Sequence, residues 1–300
     1  MLYHPRVKND NHEMSITGPT GSQTLTSNSN HNKMSDVRDD NFADYRARLA
    51  RQIADEAVGD ASLELTPAGK FENGRPKVYP GYTVITSPYD DESDGENRRT
   101  YEALTRVQEG LATQINSPMF VPVAVPSFHL TVADLISGNA FAKKQKIEGW
   151  ESELRETLRQ VFEREQCLVR IPPRLLVSGL CLFSSVIVAA VSSEDEFGYH
   201  QLLRFRDLVY DDSRLQALGI ERPRYSFTGH ITIGYVEARP SPDSAALVAR
   251  VISQINQREF LKALSFKVTQ VELRKFENMS HYYRHTDWPI LRFVPDHEKN

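Results

Sequence analysis

The sequence predicts an α+β fold of two similar lobes, each with an antiparallel-rich sheet and helices on its outer face. The composition is that of a globular protein, with 40% hydrophobic and 25% charged residues in a chain of 300. β-type apolar runs alternate with amphipathic helical segments, and the order strand, helix, strand, helix, strand occurs in both halves. The middle strand of each half contains a histidine and a threonine two residues apart, at His129 and Thr131 and at His230 and Thr232.

The domain organisation follows from the distribution of apolar residues. Residues 1–40 are predicted to be disordered or loosely docked, because their polar composition cannot bury enough surface to offset the entropy of ordering. Residues 41–75 are predicted to be a helical lead-in, since apolar side chains recur at helical spacing from Phe42 to Val58. The bilobal domain is expected over residues 76–295, with lobes at about 76–178 and 179–295.

The period of the apolar residues defines the elements of this domain. Residues 82–86 are predicted to form its first strand, and residues 90–99 a charged loop. The predicted helices cover residues 101–115, 147–166, 197–215 and 245–260. The other predicted strands cover residues 119–125, 128–135, 168–177, 180–191, 225–236, 266–276 and 288–294.

Composition and charge exclude several classes of protein. A net charge of −4 argues against binding along duplex nucleic acid, although it leaves room for a small phosphate ligand. Cys167 and Cys181 provide no disulfide framework and no metal-ligand spacing, which is typical of a reducing compartment. The sequence contains no secretory signal and no apolar stretch long enough to span a bilayer. We therefore expect a cytoplasmic protein without a membrane partner, and a monomer.

The two His-x-Thr motifs are the candidate catalytic residues. Side chains alternate along a strand, so His129 shares a face with Thr131, and His230 shares one with Thr232. Two imidazoles flanking a phosphodiester can act as general acid and base, each worth about 10²–10⁴-fold in rate. The threonine hydroxyls can donate to phosphate oxygens. This chemistry needs no metal or other cofactor, and it leaves open which histidine is the acid. A single motif would more often be structural, whereas the matched pair favours a site.

The pair His129-Leu130-Thr131 and His230-Ile231-Thr232 resembles the signature of the two-histidine (2H) phosphoesterase superfamily. This superfamily includes the LigT-like RNA 2′,3′-cyclic phosphodiesterases, also called 2′-5′ RNA ligases, and the cyclic nucleotide phosphodiesterases of plants and fungi. Residues 79–85 and 126–129 are similar to an uncharacterised bacterial and fungal branch, and the resemblance covers about residues 76–295. It implies a bilobal, pseudo-twofold fold in which both motifs line a central groove, and it assigns the four motif residues to the site.

The resemblance implies hydrolysis of a cyclic phosphodiester, with a 2′,3′-cyclic phosphate of RNA or of a nucleotide as the substrate. A module that binds a phosphorylated ligand without turnover and an enzyme for 2′-5′ RNA end-joining remain alternatives. Tyr225, Arg224 and Tyr282 are candidates for substrate contacts, because aromatic faces stack on bases for about 1–3 kcal/mol. Packing or surface exposure is the alternative role for each of them. His281 and His285 lack an evident third ligand, so no metal site is predicted there.

Overall fold

The computed structural model describes residues 39–166 and 171–293, all of which belong to one structural unit. The predicted N-terminal extension, apart from Asp39 and Asp40, lies outside the described residues. The same holds for Cys167 and for the beginning of the strand predicted over residues 168–177.

Groups of helices and groups of strands follow one another along the described part of the chain. Its α-helices are α1 (Phe42–Gln52), α2 (Asp55–Leu63), α3 (Gly95–Gln114), α4 (Gly138–Lys144), α5 (Trp150–Gln166), α6 (Glu196–Tyr210), α7 (Ser213–Ala217) and α8 (Pro242–Glu259). Its strands are β1 (Phe71–Glu72), β2 (Arg75–Pro76), β3 (Gly81–Thr86), β4 (Val121–Pro122), β5 (Thr131–Ser137), β6 (Arg174–Phe183), β7 (Val186–Ser193), β8 (His230–Tyr235), β9 (Leu264–Lys267), β10 (Gln270–Asn278), β11 (His281–Tyr283) and β12 (Ile290–Arg292).

Two five-stranded sheets and one small hairpin account for these strands. The first sheet has the order β11-β10-β3-β5, and β12 also pairs with β10. The second sheet has the order β4-β8-β7-β6-β9. All pairings in both sheets are antiparallel, and β1 and β2 form a separate antiparallel hairpin. The prediction of two antiparallel sheets is therefore confirmed.

The internal repeat is present, but the predicted lobe boundary near residue 178 does not divide the two sheets. The unit β3–α3–β5–α5 recurs as β7–α6–β8–α8. The strand after the first unit, β6, joins the second sheet by pairing with β7. After the second unit, β9 stays in the second sheet by pairing with β6, whereas β10 joins the first sheet by pairing with β3. β6 therefore spans the predicted boundary, and the last three strands of the described residues belong to the first sheet. The apolar pattern of a strand does not show which other strand it pairs with. The sequence therefore suggested that the two lobes follow one another along the chain.

Helix faces are the best-predicted feature of the core. The apolar faces of α3 and α5 are buried, as their spacing predicts; these faces consist of Leu104, Val107, Leu111, Trp150, Leu154, Leu158 and Phe162. The predicted loop at residues 90–99 is partly wrong, because α3 begins at Gly95. The Asp94 carboxylate caps this helix by accepting from the amides of Glu96 and Asn97. The strand predicted over residues 119–125 is reduced to β4.

The lead-in predicted to be helical over residues 41–75 contains two helices, α1 and α2, and most of the β1–β2 hairpin. α1 ends at Gln52 and α2 begins at Asp55, so the apolar spacing from Phe42 to Val58 belongs to two helices. α1 packs on β7 and α2 packs on α8. After α2, the Ala68 amide donates to the Val236 carbonyl at 2.9 Å, which places the β1–β2 hairpin beside the end of β8. No helix in the described residues is long and apolar enough to cross a membrane.

Candidate active site

The two motifs meet at an antiparallel bridge between Leu130 and Ile231. Leu130 and Ile231 are 1% and 0% exposed, and their side chains face the core. The motif residues on either side of the bridge are half-buried, and side-chain alternation places them together on the opposite face. In this register His129 lies opposite Thr232, and Thr131 lies opposite His230. The fold thus brings together four polar residues from distant parts of the chain.

One detail of the first motif differs from the prediction. His129 precedes β5 rather than lying inside it, because the strand begins at Thr131. A short 3₁₀ turn, Val125–Ser127, ends just before the motif. The bridge at Leu130 nevertheless preserves the strand-like alternation, so His129 and Thr131 still share a face.

Both imidazoles have the same orientation with respect to the backbone. His129 Nδ1 donates to the Ser127 carbonyl at 2.6 Å, and His230 Nδ1 donates to the Thr228 carbonyl at 2.8 Å. A carbonyl oxygen can only accept, so Nδ1 must carry the proton in each neutral ring. Nε2 is therefore the nitrogen that can exchange a proton with a ligand. The Thr131 hydroxyl forms no hydrogen bond with another described residue and is available to the same ligand.

An aromatic ring packs against each histidine. The ring of Tyr282 lies 4.5 Å from that of His129, and the ring of Phe183 lies 5.2 Å from that of His230, both edge to face. The structure therefore places the predicted contact residue Tyr282 beside the first motif. Phe183, at the end of β6, occupies the corresponding place at the second motif and was not identified from the sequence, where it belongs to an ordinary apolar run.

The two other predicted contact residues lie at the surface. Tyr225 is 62% exposed, and its hydroxyl donates to Asp134 Oδ2 at 3.3 Å. Arg224 is exposed and forms no ion pair with another described residue. Asp134 itself was not identified from the sequence, because a single acidic residue in an apolar strand has no distinctive pattern. Its carboxylate acts electrostatically on His230 and on Tyr282.

The electrostatic environments of the two histidines differ. Burial lowers the pKa of His129 to about 4; the hydrogen bond to Ser127 opposes this shift, and the charges of His230 and Arg274 add to it. Burial also lowers the pKa of His230, but there the hydrogen bond to Thr228 and the charge of Asp134 both raise it. A proton on His230 thus disfavours a second proton on His129. The pair is suited to hold one proton.

Lys70 adds a positive charge beside the second motif. Its ammonium lies 4.9 Å from the ring centroid of Tyr79 and 5.5 Å from that of Tyr235, and its charge lowers the pKa of His230. It forms no ion pair with a residue in the described ranges. Burial raises the pKa of Tyr235 and so does Asp134, while a hydrogen bond with Thr232 lowers it. Sequence reasoning missed Lys70 because it lies in the lead-in, outside the resemblance.

No protein-family model matches the chain, and no curated protein matches it. Among solved structures, the chain is similar to ATU0111 of Agrobacterium tumefaciens str. C58, a conserved protein of unknown function, with a TM-score of 0.53 and 14% identity over 73% of this chain and 90% of that one. TT0787 of Thermus thermophilus matches with a TM-score of 0.41 and 16% identity, over 72% of this chain and 99% of that one. E. coli LigT complexed with 3′-AMP matches with a TM-score of 0.39 and 15% identity, over 72% and 98%.

The likeness to the A. tumefaciens protein, together with the two antiparallel sheets and the adjoining motifs, confirms the predicted fold class. The chain has an α+β fold with two antiparallel sheets, and it shares this fold with the A. tumefaciens protein.

Proposed function

We propose that the protein is a metal-independent phosphoesterase that hydrolyses a cyclic phosphodiester. The substrate class is a 2′,3′-cyclic phosphate, at the end of an RNA or on a nucleotide. One observation carries the proposal: two imidazoles with the same fixed orientation adjoin two threonines on a single face, at the bridge between Leu130 and Ile231. Paired proton-transfer groups and paired hydroxyl donors are what in-line displacement at a phosphate requires.

The proposed reaction is a single displacement. His129 Nε2 accepts a proton from water, the water oxygen bonds to phosphorus, and the bond from phosphorus to one ribose oxygen breaks. His230, in its protonated form, donates the Nε2 proton to that departing oxygen. Thr131 and Thr232 donate hydrogen bonds to the non-bridging phosphate oxygens, where negative charge is concentrated in the transition state. Solvent then returns both rings to their starting protonation states.

The assignment of acid and base follows from the neighbouring charges. Asp134 favours a proton on His230, whereas Arg274 and His230 disfavour a proton on His129. His230 is accordingly the acid in this proposal, and His129 is the base. The sequence alone left this choice open, because the two motifs are equivalent at that level.

The direct test uses the purified protein in excess chelator with 2′,3′-cyclic nucleotides and with RNA that ends in a cyclic phosphate. The expected product is a phosphomonoester, formed without added metal. Binding without product would favour the alternative of a module for phosphorylated ligands. Joining of a cyclic-phosphate end to a 5′-hydroxyl end would favour RNA end-joining. Failure to turn over any of these substrates would refute the proposal.

Replacement of Lys70 by glutamine is expected to raise KM for a cyclic phosphate by about tenfold, which corresponds to the loss of ~1.5 kcal/mol from one charge-assisted contact. The reason is that its ammonium acts electrostatically on His230 and has no acidic partner among the described residues. The matched control is Lys77→Gln, since Lys77 is exposed and lies 3.9 Å from Glu72. Equal KM values for the two variants would show that Lys70 does not contribute to substrate binding.

The pH dependence of kcat/KM is expected to be bell-shaped with its maximum on the acidic side. Activity should rise as His129 loses its proton, near pH 4, and fall as His230 loses its proton below the ordinary value of 6.5. Asp134 raises the pKa of His230, so Asp134→Asn should move the falling limb to lower pH and leave the rising limb in place. A falling limb that does not move would contradict the role given to Asp134.

A further inference from the structure

The first motif is supported by its own local turn. His129 Nδ1 donates to the Ser127 carbonyl, and Ser127 is the last residue of the 3₁₀ turn Val125–Ser127. Ser127 Oγ donates in turn to the Ala124 carbonyl at 2.6 Å. The carbonyl that orients the first imidazole is therefore fixed by residues next to it in the sequence.

The second motif is supported from the lead-in helix instead. The pre-motif segment (residues 227–229) contains the Thr228 carbonyl that orients the second imidazole. Arg48 Nη1 donates to Thr228 Oγ1 at 2.6 Å, and Arg48 Nη2 donates to the Phe227 carbonyl at 2.9 Å. Arg48 Nε donates to Asp40 Oδ2 at 2.7 Å, which holds the guanidinium in this orientation. One side chain of α1 thus fixes two consecutive residues of the pre-motif segment.

Tyr45, also on α1, fixes the third residue. Its hydroxyl donates to the Val191 carbonyl at 2.7 Å and accepts from the Gly229 amide at 3.1 Å, so it joins the pre-motif segment to β7. Its ring stacks on that of Tyr199 with 4.7 Å between centroids. A Cβ at Gly229 would lie 2.6 Å from the Val191 carbonyl oxygen and 3.0 Å from the Tyr45 hydroxyl, so this close approach requires glycine.

We propose that α1 positions the imidazole of His230 through Tyr45 and Arg48, and that the lead-in is therefore a working part of the active site. The inference rests on the proposed function, and both residues are positioning residues because they act through the pre-motif segment. Displacement of a reacting group by about 1 Å can cost 10²-fold in rate. The effect of losing either contact should fall on the chemical step rather than on substrate binding.

The test uses Tyr45→Phe and Arg48→Met, which keep the ring and the aliphatic stem but remove the polar contacts. We expect kcat to fall by about 10- to 100-fold, with little change in KM. The second measurement is ¹⁵N NMR of the histidine rings. In the wild type, both neutral rings should carry the proton on Nδ1. In the variants, His230 should move toward the Nε2-protonated form that imidazole prefers in water, while His129 should not change.

The matched control is Arg51→Met, because Arg51 lies on the same helix and is exposed. This variant should retain the kcat and the ring spectra of the wild type. Arg48→Met and Thr228→Val should be non-additive in kcat, since each removes the same hydrogen bond. Thermal unfolding of every variant identifies any loss of activity that arises from a smaller folded fraction. If Tyr45→Phe does not fold, Arg48→Met alone tests the inference.

The outcomes separate this inference from the proposed function. If the wild type turns over no cyclic phosphate, the proposed function fails, and the His230 spectra still decide whether α1 orients that ring. If the wild type is active and folded Arg48→Met retains both its kcat and the Nδ1-protonated His230 ring, the inference is overturned. A fall in kcat with an unchanged protonation site on the His230 ring overturns it as well, because the loss of activity would then not arise from the orientation of that ring.

Discussion

Replacement of His129 or His230 by glutamine is expected to lower kcat by about 10²–10⁴-fold, with wild-type thermal stability. Each substitution removes a proton-transfer group but keeps a polar side chain of similar length at a half-buried position. Initial rates on a 2′,3′-cyclic nucleotide, measured in chelator, give the effect. The double variant should be scarcely slower than the slower single variant, because residues that act as one unit are strongly non-additive.

The control for this prediction is His200→Gln, since His200 is an exposed residue of α6 whose ring nitrogen lies 3.6 Å from the Glu196 carboxylate. Its rate should equal that of the wild type. A substrate with a 4-nitrophenolate leaving group separates the two roles, because such a leaving group needs no proton. With it, His230→Gln should recover much of its rate and His129→Gln should not. The opposite recovery would reverse the assignment of acid and base, and two fully active variants would exclude catalysis by this pair.

Replacement of Gly81 by alanine is expected to lower the free energy of unfolding by about 1–3 kcal/mol, toward the upper end of this range. Gly81 begins β3, where it pairs with Ser137 of β5. A Cβ at this position would overlap the Ile136 carbonyl oxygen and lie 2.9 Å from Ser137 Cα. Both are backbone atoms of the neighbouring strand, so no rotamer change can relieve the contact. Denaturant unfolding of the purified variant measures the loss.

The matched control for Gly81 is Gly59→Ala. Gly59 lies inside α2, and a Cβ there would have no neighbour within 4 Å. Alanine loses less backbone entropy than glycine in a helix, so this variant should be more stable by about 0.5–1 kcal/mol. Equal stability of the two variants would show that the approach of β3 to β5 is less close than described.

The helices of this chain could be predicted well because their signal is local. Trp150, Leu154 and Leu158 recur at helical spacing, and all three are buried on one face of α5. Helix starts were predicted less accurately. Asp94 caps α3, which therefore begins at Gly95, inside a segment that was predicted to be a loop. The sheets were predicted only as a class. The strand spanning residues 174–183 pairs across the predicted lobe boundary, and such pairings depend on contacts between residues far apart in the chain.

The candidate site, like the fold, was predictable only where its signal is local in the sequence. The four motif residues are visible in the sequence because the pattern occurs twice in matching contexts. Asp134, Lys70 and Tyr45 have no such pattern, since each acts on a residue that only folding brings near it. Tyr45 contacts Gly229 across a sequence separation of 184 residues. Of the three contact residues suggested by sequence, only Tyr282 packs against a motif histidine.

By itself, the sequence determined the class of fold and the pair of His-x-Thr motifs, because hydrophobic period and side-chain alternation are properties of neighbouring residues. Tertiary structure alone decided which strands share a sheet, and it set the motifs side by side at Leu130 and Ile231. It also gave the two histidines different electrostatic environments, because the charges of Asp134 and Lys70 act on His230 and the charge of Arg274 acts on His129. The electric field at a side chain depends on distance in space, which chain order does not specify.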